Sequence, residues 1–547
     1  MQKIIFVFLI FINFISAQDK IVPSHKSENE VAIEDTTMPK LENPEFVITK
    51  EEYLTPQLFE RQLTDEEKIY SVQQKQFTNL PNTEQQKKSL YFLKREHEVM
   101  SGKVLFSFGN YSTPVLEGWF GKNYESSGIL FHGLLYQSKG HTANAEKQKG
   151  NIELGGNISL LDFENNLQFL QKSRAQLRLG ISTDNYGLYG SLDSTKKRSV
   201  TKFDLIGNLL QSEYSPSWLE NPLSYQLQIG FNALSLSDYD KLDENKFSIN
   251  LNSTTEINSV LYQLNTQYQS VLLNAGHQSY YFKTGLNIDY RLNSLTNTSM
   301  QFYQTYYRGS KENSNSQFGT NIKLTYQYSN PLQLSFNLVR DVKKLTIQDY
   351  LEVNPFVSTL SDLNQMAIPY QISLSGIYTF SDKLQFSSDF IFRSIENRPI
   401  FKSDSTKMFN VDYVDTKDLI ISISLNYQND FKHNLNITGK YNQQVDSDDL
   451  LPYVSVIELI GKYQIPIFEN LNSSIDLIYA TPRSFGFENN DGKSENIFKL
   501  SSSIDYKVLN NLTAILKIEN LLNKRYNSWK GFSEPGIFIS LGANYRW

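Results

Sequence analysis

No cysteine occurs anywhere in the 547 residues. A disulfide framework, a thiolate metal site and a lipid-modified N-terminal Cys are therefore excluded. Beyond its first residues the chain contains no apolar run of the roughly 18 residues that a membrane helix requires, so a helical span is excluded as well. Charge is nearly balanced, with 52 Lys and Arg against 58 Asp and Glu. The two signs are interspersed, which leaves no broad positive field for nucleic acid. Histidine is scarce: the residues at 25, 97, 132, 141, 277 and 433 include no pair at the helical spacing of metal ligands. The carboxylates of Asp446, Asp448 and Asp449 suit a hard cation in type, but their run lacks the glycine and the distal Glu of a calcium loop, which favours a solvated acidic loop. No short nucleophile, acid-pair or cofactor motif stands out. The expectation is a protein that is not an enzyme and holds no metal or cofactor.

What is present begins with an export signal. Lys3 precedes an apolar stretch from Ile4 to Ile15 interrupted only by Asn13, and the small residues Ser16 and Ala17 come before polar Gln18. Residues 1–17 are read as a secretory signal peptide. Residues 18–99 carry prolines at 23, 39, 44, 56 and 81, many Glu and Lys, and no sustained alternation, as expected of an irregular periplasmic segment. Its last part, Glu84 to Val99, has the pattern of a short amphipathic helix. Glu45 to Thr49 is an extended apolar run of the kind that adds as a strand to a partner.

The chain then turns aromatic without turning hydrophobic. It contains 33 Tyr and 35 Phe, yet its mean hydropathy is −0.42. From about residue 100 the period becomes two: Leu223, Tyr225, Leu227, Ile229, Phe231 and Ala233 are apolar, and the residues between them are Ser, Gln, Gln, Gly and Asn. One face of such a strand meets lipid and the other water. The pattern recurs at Ala175 to Ile181, Phe247 to Leu251, Leu332 to Leu338, Leu419 to Tyr427 and Leu435 to Tyr441. Short turns such as Asn165-Asn166, Asn330-Pro331, Ser381-Asp382 and Asn510-Asn511 alternate with long polar stretches such as Ser138–Gly150, Ser191–Ser199, Asp341–Ser361 and Pro482–Glu495. Short turns belong on the periplasmic side of a membrane barrel and long loops outside. The expected fold is all-β: an antiparallel transmembrane barrel over residues 100–547, of about 22 strands and an even number, in the outer membrane of a Gram-negative-type cell. A soluble sandwich array or propeller also alternates, but needs a domain break or a blade-length repeat that the sequence lacks.

The last segment, Gly536 to Trp547, puts Ile537, Ile539, Leu541, Ala543, Tyr545 and Trp547 on one face and ends on an aromatic residue. It resembles the terminal strand by which outer-membrane barrels are recognised for assembly. Just upstream lie Asn520, Asn523 and Tyr526, then Pro535 and Gly536. This run resembles the closing strand, loop and strand of TonB-dependent receptors, with Leu522 in place of the usual aromatic and Ile537 in place of the usual Arg. Asn520 and Asn523 suit local hydrogen bonding where a strand leaves the membrane, and Pro535-Gly536 lets the chain re-enter as the final strand. The expected role of Asn520, Asn523, Tyr526, Pro535, Gly536 and Trp547 is structural, in closing the barrel.

The resemblance implies a receptor-type barrel, whose family members fill the lumen with a globular N-terminal plug. Residues 18–99 are too short and too poor in glycine for that domain. The function expected is a passive or partner-gated channel for solutes. Its partners would be outer-membrane lipid, the barrel assembly machinery and other envelope proteins, without nucleic acid. Two alternatives stand beside it. In one, a non-transporting barrel scaffolds an outer-membrane complex. In the other, the N-terminal segment folds back as a minimal plug against lumenal Arg178, Lys323, Lys440 and Arg546.

Overall fold

A computed structural model of the chain describes residues 99–547 except for residues 125, 161–169, 171–172, 217–218, 240, 275–277, 309–313, 359–363, 446–450 and 487–491. The expected signal peptide and periplasmic segment, the strand-like run Glu45 to Thr49, the turn Asn165-Asn166 and the acidic group Asp446, Asp448 and Asp449 lie outside the described residues.

The wall opens with β1 (Val99–Gly109), β2 (Thr113–Asn123), β3 (Ser127–Ser138), β4 (Lys147–Ser159), β5 (Ser173–Gly187) and β6 (Lys197–Tyr214). It continues through β7 (Leu223–Ser237), β8 (Lys241–Ile257), β9 (Val260–Leu273), β10 (Gln278–Asn293), β11 (Thr296–Arg308), β12 (Asn315–Ser329) and β13 (Leu332–Lys343). One short helix, α1 (Ile347–Val353), precedes β14 (Met366–Ser381), β15 (Leu384–Ser403), β16 (Phe409–Gln428), β17 (Asn434–Gln444) and β18 (Ile457–Phe468). The chain ends with β19 (Leu471–Ala480), β20 (Ile497–Leu509), β21 (Leu512–Glu519), the small pair β22 (Asn527–Trp529) and β23 (Phe532–Ser533), and β24 (Phe538–Arg546). Each wall strand pairs antiparallel with its sequence neighbour, and β1 pairs with β24 to close a sheet of 22 strands. Closure gives every wall strand a partner on both sides, which is what the interior of a bilayer demands of a β-structure. Among the described residues no helix is long and apolar enough to cross a membrane.

The alternation read in the sequence becomes the two faces of the wall. Leu177, Ile181, Phe231, Leu374 and Leu541 point outward and are exposed as a lipid-facing belt. Between them, polar residues line the inside in ladders. Arg178 faces Glu153 at 3.2 Å, both nearly buried. His132 stacks on the Trp119 ring with centroids 3.7 Å apart, and its Nε2 stands 3.3 Å from Glu117 Oε1. By the same alternation Lys323, Lys440 and Arg546 share the inner face with Arg178, as expected.

The strands meet in two different kinds of connection. At one end lie tight turns, among them Asn258-Ser259 with both residues at positive φ of 50° and 61°, the conformation that matches the twist of a hairpin. The start of β1 and Trp547 lie at this end. At the other end lie the long connections 139–146, 188–196, 344–365 and 481–496, the same sets the sequence assigned to the outside. The wall is uneven in height. β15 and β16 have 20 residues each and β24 has 9, a difference of roughly 35 Å of extended strand.

The seam is fastened at both ends. Trp547 N donates to Gly102 O at 3.0 Å and Gly102 N to Trp547 O at 3.1 Å, while Asn110 N donates to Ile539 O at 3.0 Å. The Trp547 ring lies over Gly102 so closely that a Cβ there would stand 2.1 Å from a ring carbon.

Candidate functional site

Near the long-loop end the inner face changes character. In β7 the inward residues run Gln226, Gln228, Gly230 and Asn232, and then become Leu234 and Leu236, 3% and 1% exposed. Neighbouring strand ends do the same with Tyr186 on β5, Val200 on β6 and Leu242 on β8. An apolar inner face is stable only if something apolar covers it. The cover is built from the long connections. Ile347, Tyr350 and Leu351 of α1, Val357, Phe409 of β16 and Phe532 of β23 join those wall residues in one buried cluster.

α1 exists because its ends and its face are both provided for. Thr346 and Asp349 form a capping box, with Asp349 N donating to Thr346 Oγ1 at 3.3 Å and Thr346 N to Asp349 Oδ2 at 2.6 Å. The Ile347 N–H points at Glu244 Oε2 of β8, 2.8 Å away. The i, i+3, i+4 spacing of Ile347, Tyr350 and Leu351 turns all three to the cluster. The chain after α1 is held by Tyr186, whose hydroxyl donates to Pro355 O at 2.6 Å, and by Arg198 Nη1, which donates to the same oxygen at 2.7 Å. Arg198 is 1% exposed and its Nε also donates to Asp238 Oδ2 at 2.7 Å. A buried guanidinium needs such pairing to offset its lost hydration.

The cover reaches across the mouth. The β5–β6 connection lies ten strands from the β15–β16 connection in a ring of 22, so the two are nearly diametrically opposed on a barrel roughly 40 Å across. Leu192 N of the first donates to Thr406 O of the second at 2.8 Å. Phe356 stacks on Phe532 with ring centroids 3.6 Å apart, joining the β13–β14 connection to the last one. Tyr453, from the β17–β18 connection, packs against Trp529 at 4.4 Å. Gly190 and Gly531 meet backbone to backbone; a Cβ on Gly190 would stand 2.5 Å from Gly531 O.

Beside this dome is a cleft of about 350 Å³. Its outer wall is the inner face of the barrel next to the seam, with Tyr136 of β3, Tyr186 of β5 and Phe538 of β24. Its other wall is the dome, with Tyr189, Phe356, Trp529 and Phe532. Charged groups at the rim are paired: Lys147 with Asp184 at 3.3 Å and Glu146 with Lys197 at 2.6 Å, while Glu534 pairs with Lys499. The Lys197 contact holds the Glu146 carboxyl below its usual range. His141 Nε2 stands 3.2 Å from Ser533 Oγ. Burial first, and then the nearby Arg525, push its imidazole below the ordinary histidine value, so it is neutral at neutral pH. Tyr189 donates to Ser533 O at 2.7 Å, and burial pushes its hydroxyl up to about 12.

Of the residues singled out from the sequence, Trp547 lies at the opposite end of the barrel, and the others lie next to this region but do not line it as a group. Asn520 and Asn523 both adopt φ of 52°, a left-handed conformation that Asn tolerates. Asn520 Nδ2 donates to Lys524 O at 2.6 Å and to Pro535 O at 3.1 Å. Asn523 Oδ1 accepts from Ile537 N at 2.9 Å, and a Cβ at Gly536 would stand 2.3 Å from that oxygen. The Tyr526 hydroxyl, buried, donates to Phe498 O. Of the set, only Pro535 borders the cleft. The dome and the cleft were not found by sequence reading. The available signal was Leu234 and Leu236, where the alternation of β7 changes face, with apolar residues turned inward and Ser235 and Ser237 outward, so that lipid cannot account for them.

No family model and no curated protein matches this sequence. Among solved structures the chain is similar to the siderophore receptor PiuA from Acinetobacter baumannii, with a TM-score of 0.64 at 10% identity over 83% of this chain and 82% of that one. It is also similar to the FrpB iron transporter from Neisseria meningitidis, at 0.62 and 10% over 84% and 83%. The closed form of the ferric-catecholate import receptor Fiu from E. coli K12 gives 0.60 and 10% over 83% and 82%. At such identities the likeness is one of fold, and it is the receptor-type barrel that the C-terminal resemblance implied.

Proposed function

We propose that this chain is a gated transport barrel of the outer membrane, which admits a solute when its dome is displaced. The observation that carries this reading is the dome itself, an apolar cluster joined across the full mouth through Leu192 and Thr406 over a polar inner wall. A passive pore has no use for such a cover, and a packed core flips between discrete arrangements rather than opening by degrees. The partner-gated form of the expected channel is therefore favoured over the passive one. The solved relatives are named as receptors and transporters, which fits passage of a substrate but supplies no substrate for this chain. Outer-membrane lipid follows from the outward apolar belt. The amphipathic strand β24, with Ile539, Leu541 and Tyr545 outward, supports recognition by the assembly machinery, and Asn520, Asn523, Tyr526, Pro535 and Gly536 shape the loop that returns the chain to that strand.

Conductance in planar bilayers tests the proposal, for the full chain and for a chain without residues 18–98. Intermittent openings are expected, in both or only after the deletion; the second outcome makes the segment a plug. Silence in both, with an envelope protein copurifying in stoichiometric amount, would replace the transporter by the scaffold.

A further inference from the structure

The cleft beside the dome has the features of a ligand site whose chemistry is legible from its walls. Its volume of about 350 Å³ lies near the small end of the roughly 300–1,000 Å³ typical of small-molecule pockets. One or two fused rings fit that space, and a peptide or a large metal chelate does not. The walls are aromatic on both sides, with Tyr186 on the barrel and Phe356 of the dome already edge to face at 6.0 Å. Aromatic faces and edges recognise flat rings in this manner.

Electrostatics narrows the class further. Among the described lining residues Lys147 is the one permanent cation, and Asp184 already pairs with it. The carboxylates of Glu146 and Glu534 are likewise paired, and His141 is neutral. An ionic ligand of either sign would lose its hydration without finding a counter-charge. The serine hydroxyls lining the cleft are partly engaged, Ser138 by Thr113 Oγ1 and Gly140 N, Ser528 by Glu534 and Ser533 by His141, and the one donor and two acceptor sites of a hydroxyl leave each of them room for one hydrogen bond to a polar group of a ligand.

We propose that the cleft binds a small, uncharged, flat ring compound, held between the barrel wall and the closed dome. The site rests on the dome geometry and not on passage through the barrel, so it is tested by binding alone. Titration calorimetry on the full-length protein in detergent at neutral pH compares 2-naphthol with 2-naphthoate, which share a ring system and differ in charge. Naphthol is expected to bind, and naphthoate to bind at least about tenfold more weakly because its carboxylate is desolvated unpaired. Phe356→Ala is expected to weaken naphthol binding by about fivefold through the lost ring contact. Phe356 also packs in the dome, so a second variant, Ala145→Phe, places a ring in the cleft from the 139–146 connection and is expected to block naphthol while the barrel keeps its heat-modifiable mobility. Equal affinities, a preference for naphthoate, no binding of either, or undiminished binding by Ala145→Phe would each overturn the assignment. Binding of maltose in place of naphthol would overturn it in favour of a carbohydrate. None of these outcomes alters the conductance on which the gated barrel depends.

Discussion

Lys344 stands just past β13 with its Nζ buried and without a hydrogen-bond partner. Burial, only partly countered by nearby Glu244 and reinforced by Lys246, pushes its ammonium down from the ordinary 10.5 to about 8. The unfolded loop therefore holds a proton between about pH 8 and 10.5 that the folded loop has lost, so the folded arrangement gains stability as pH rises through that window. The urea midpoint of the dome, followed by tryptophan fluorescence, is expected to rise between about pH 8 and 10 and to stay level in Lys344→Met. An unchanged slope in that variant would assign the effect to another group. At the seam, Gly102→Leu is expected to drive its side chain into the Trp547 ring, which a single Cβ already meets at 2.1 Å, and to lower the yield of heat-modifiable barrel. Asn520, Asn523 and Gly536 were legible from sequence as turn-forming residues because their fitness for a tight loop is local. Lys344 was not, because the Glu244 and Lys246 that act on it stand on β8, about a hundred residues earlier, which the sequence alone does not bring to it.

At the scale of elements, strands and cover obey different rules. A wall strand is specified by its own period of two and by hydrogen bonds to its immediate neighbours, so β7 could be read from Leu223 to Ala233 without knowing anything else. The dome depends on contacts such as Phe356 with Phe532 and Leu192 with Thr406, between segments far apart in sequence, and no local pattern encodes these. The same division makes the dome a separable unit of stability. Phe409→Ala removes a side chain with 0% exposure from the centre of the cluster, a change that typically costs about 3–5 kcal/mol. Hydrogen exchange is expected to show the loss in α1 and the connections around it, with the amides of β9 to β12 protected as before. Equal loss in those strands would mean that dome and wall unfold together.

For the whole molecule, the sequence sufficed for an all-β membrane barrel of about 22 strands with long loops on one side, because closure and lipid impose one pattern on every strand. It did not suffice for the state of the mouth, on which function turns. A barrel of this circumference with a bare mouth would be a pore, and the bridged mouth is what supports the proposed gate. The absence of cysteine from the natural chain makes the gate directly testable, since two introduced thiols have no competitors. Leu192 and Thr406 are joined by a backbone hydrogen bond of 2.8 Å, close enough for a disulfide or a short bis-maleimide link between cysteines at these positions. The most direct measurement is the bilayer conductance of Leu192→Cys/Thr406→Cys, in a chain without residues 18–98, linked and then reduced. Silence while linked and openings after reduction are the result expected of a gated barrel; the same steady conductance in both states would contradict it.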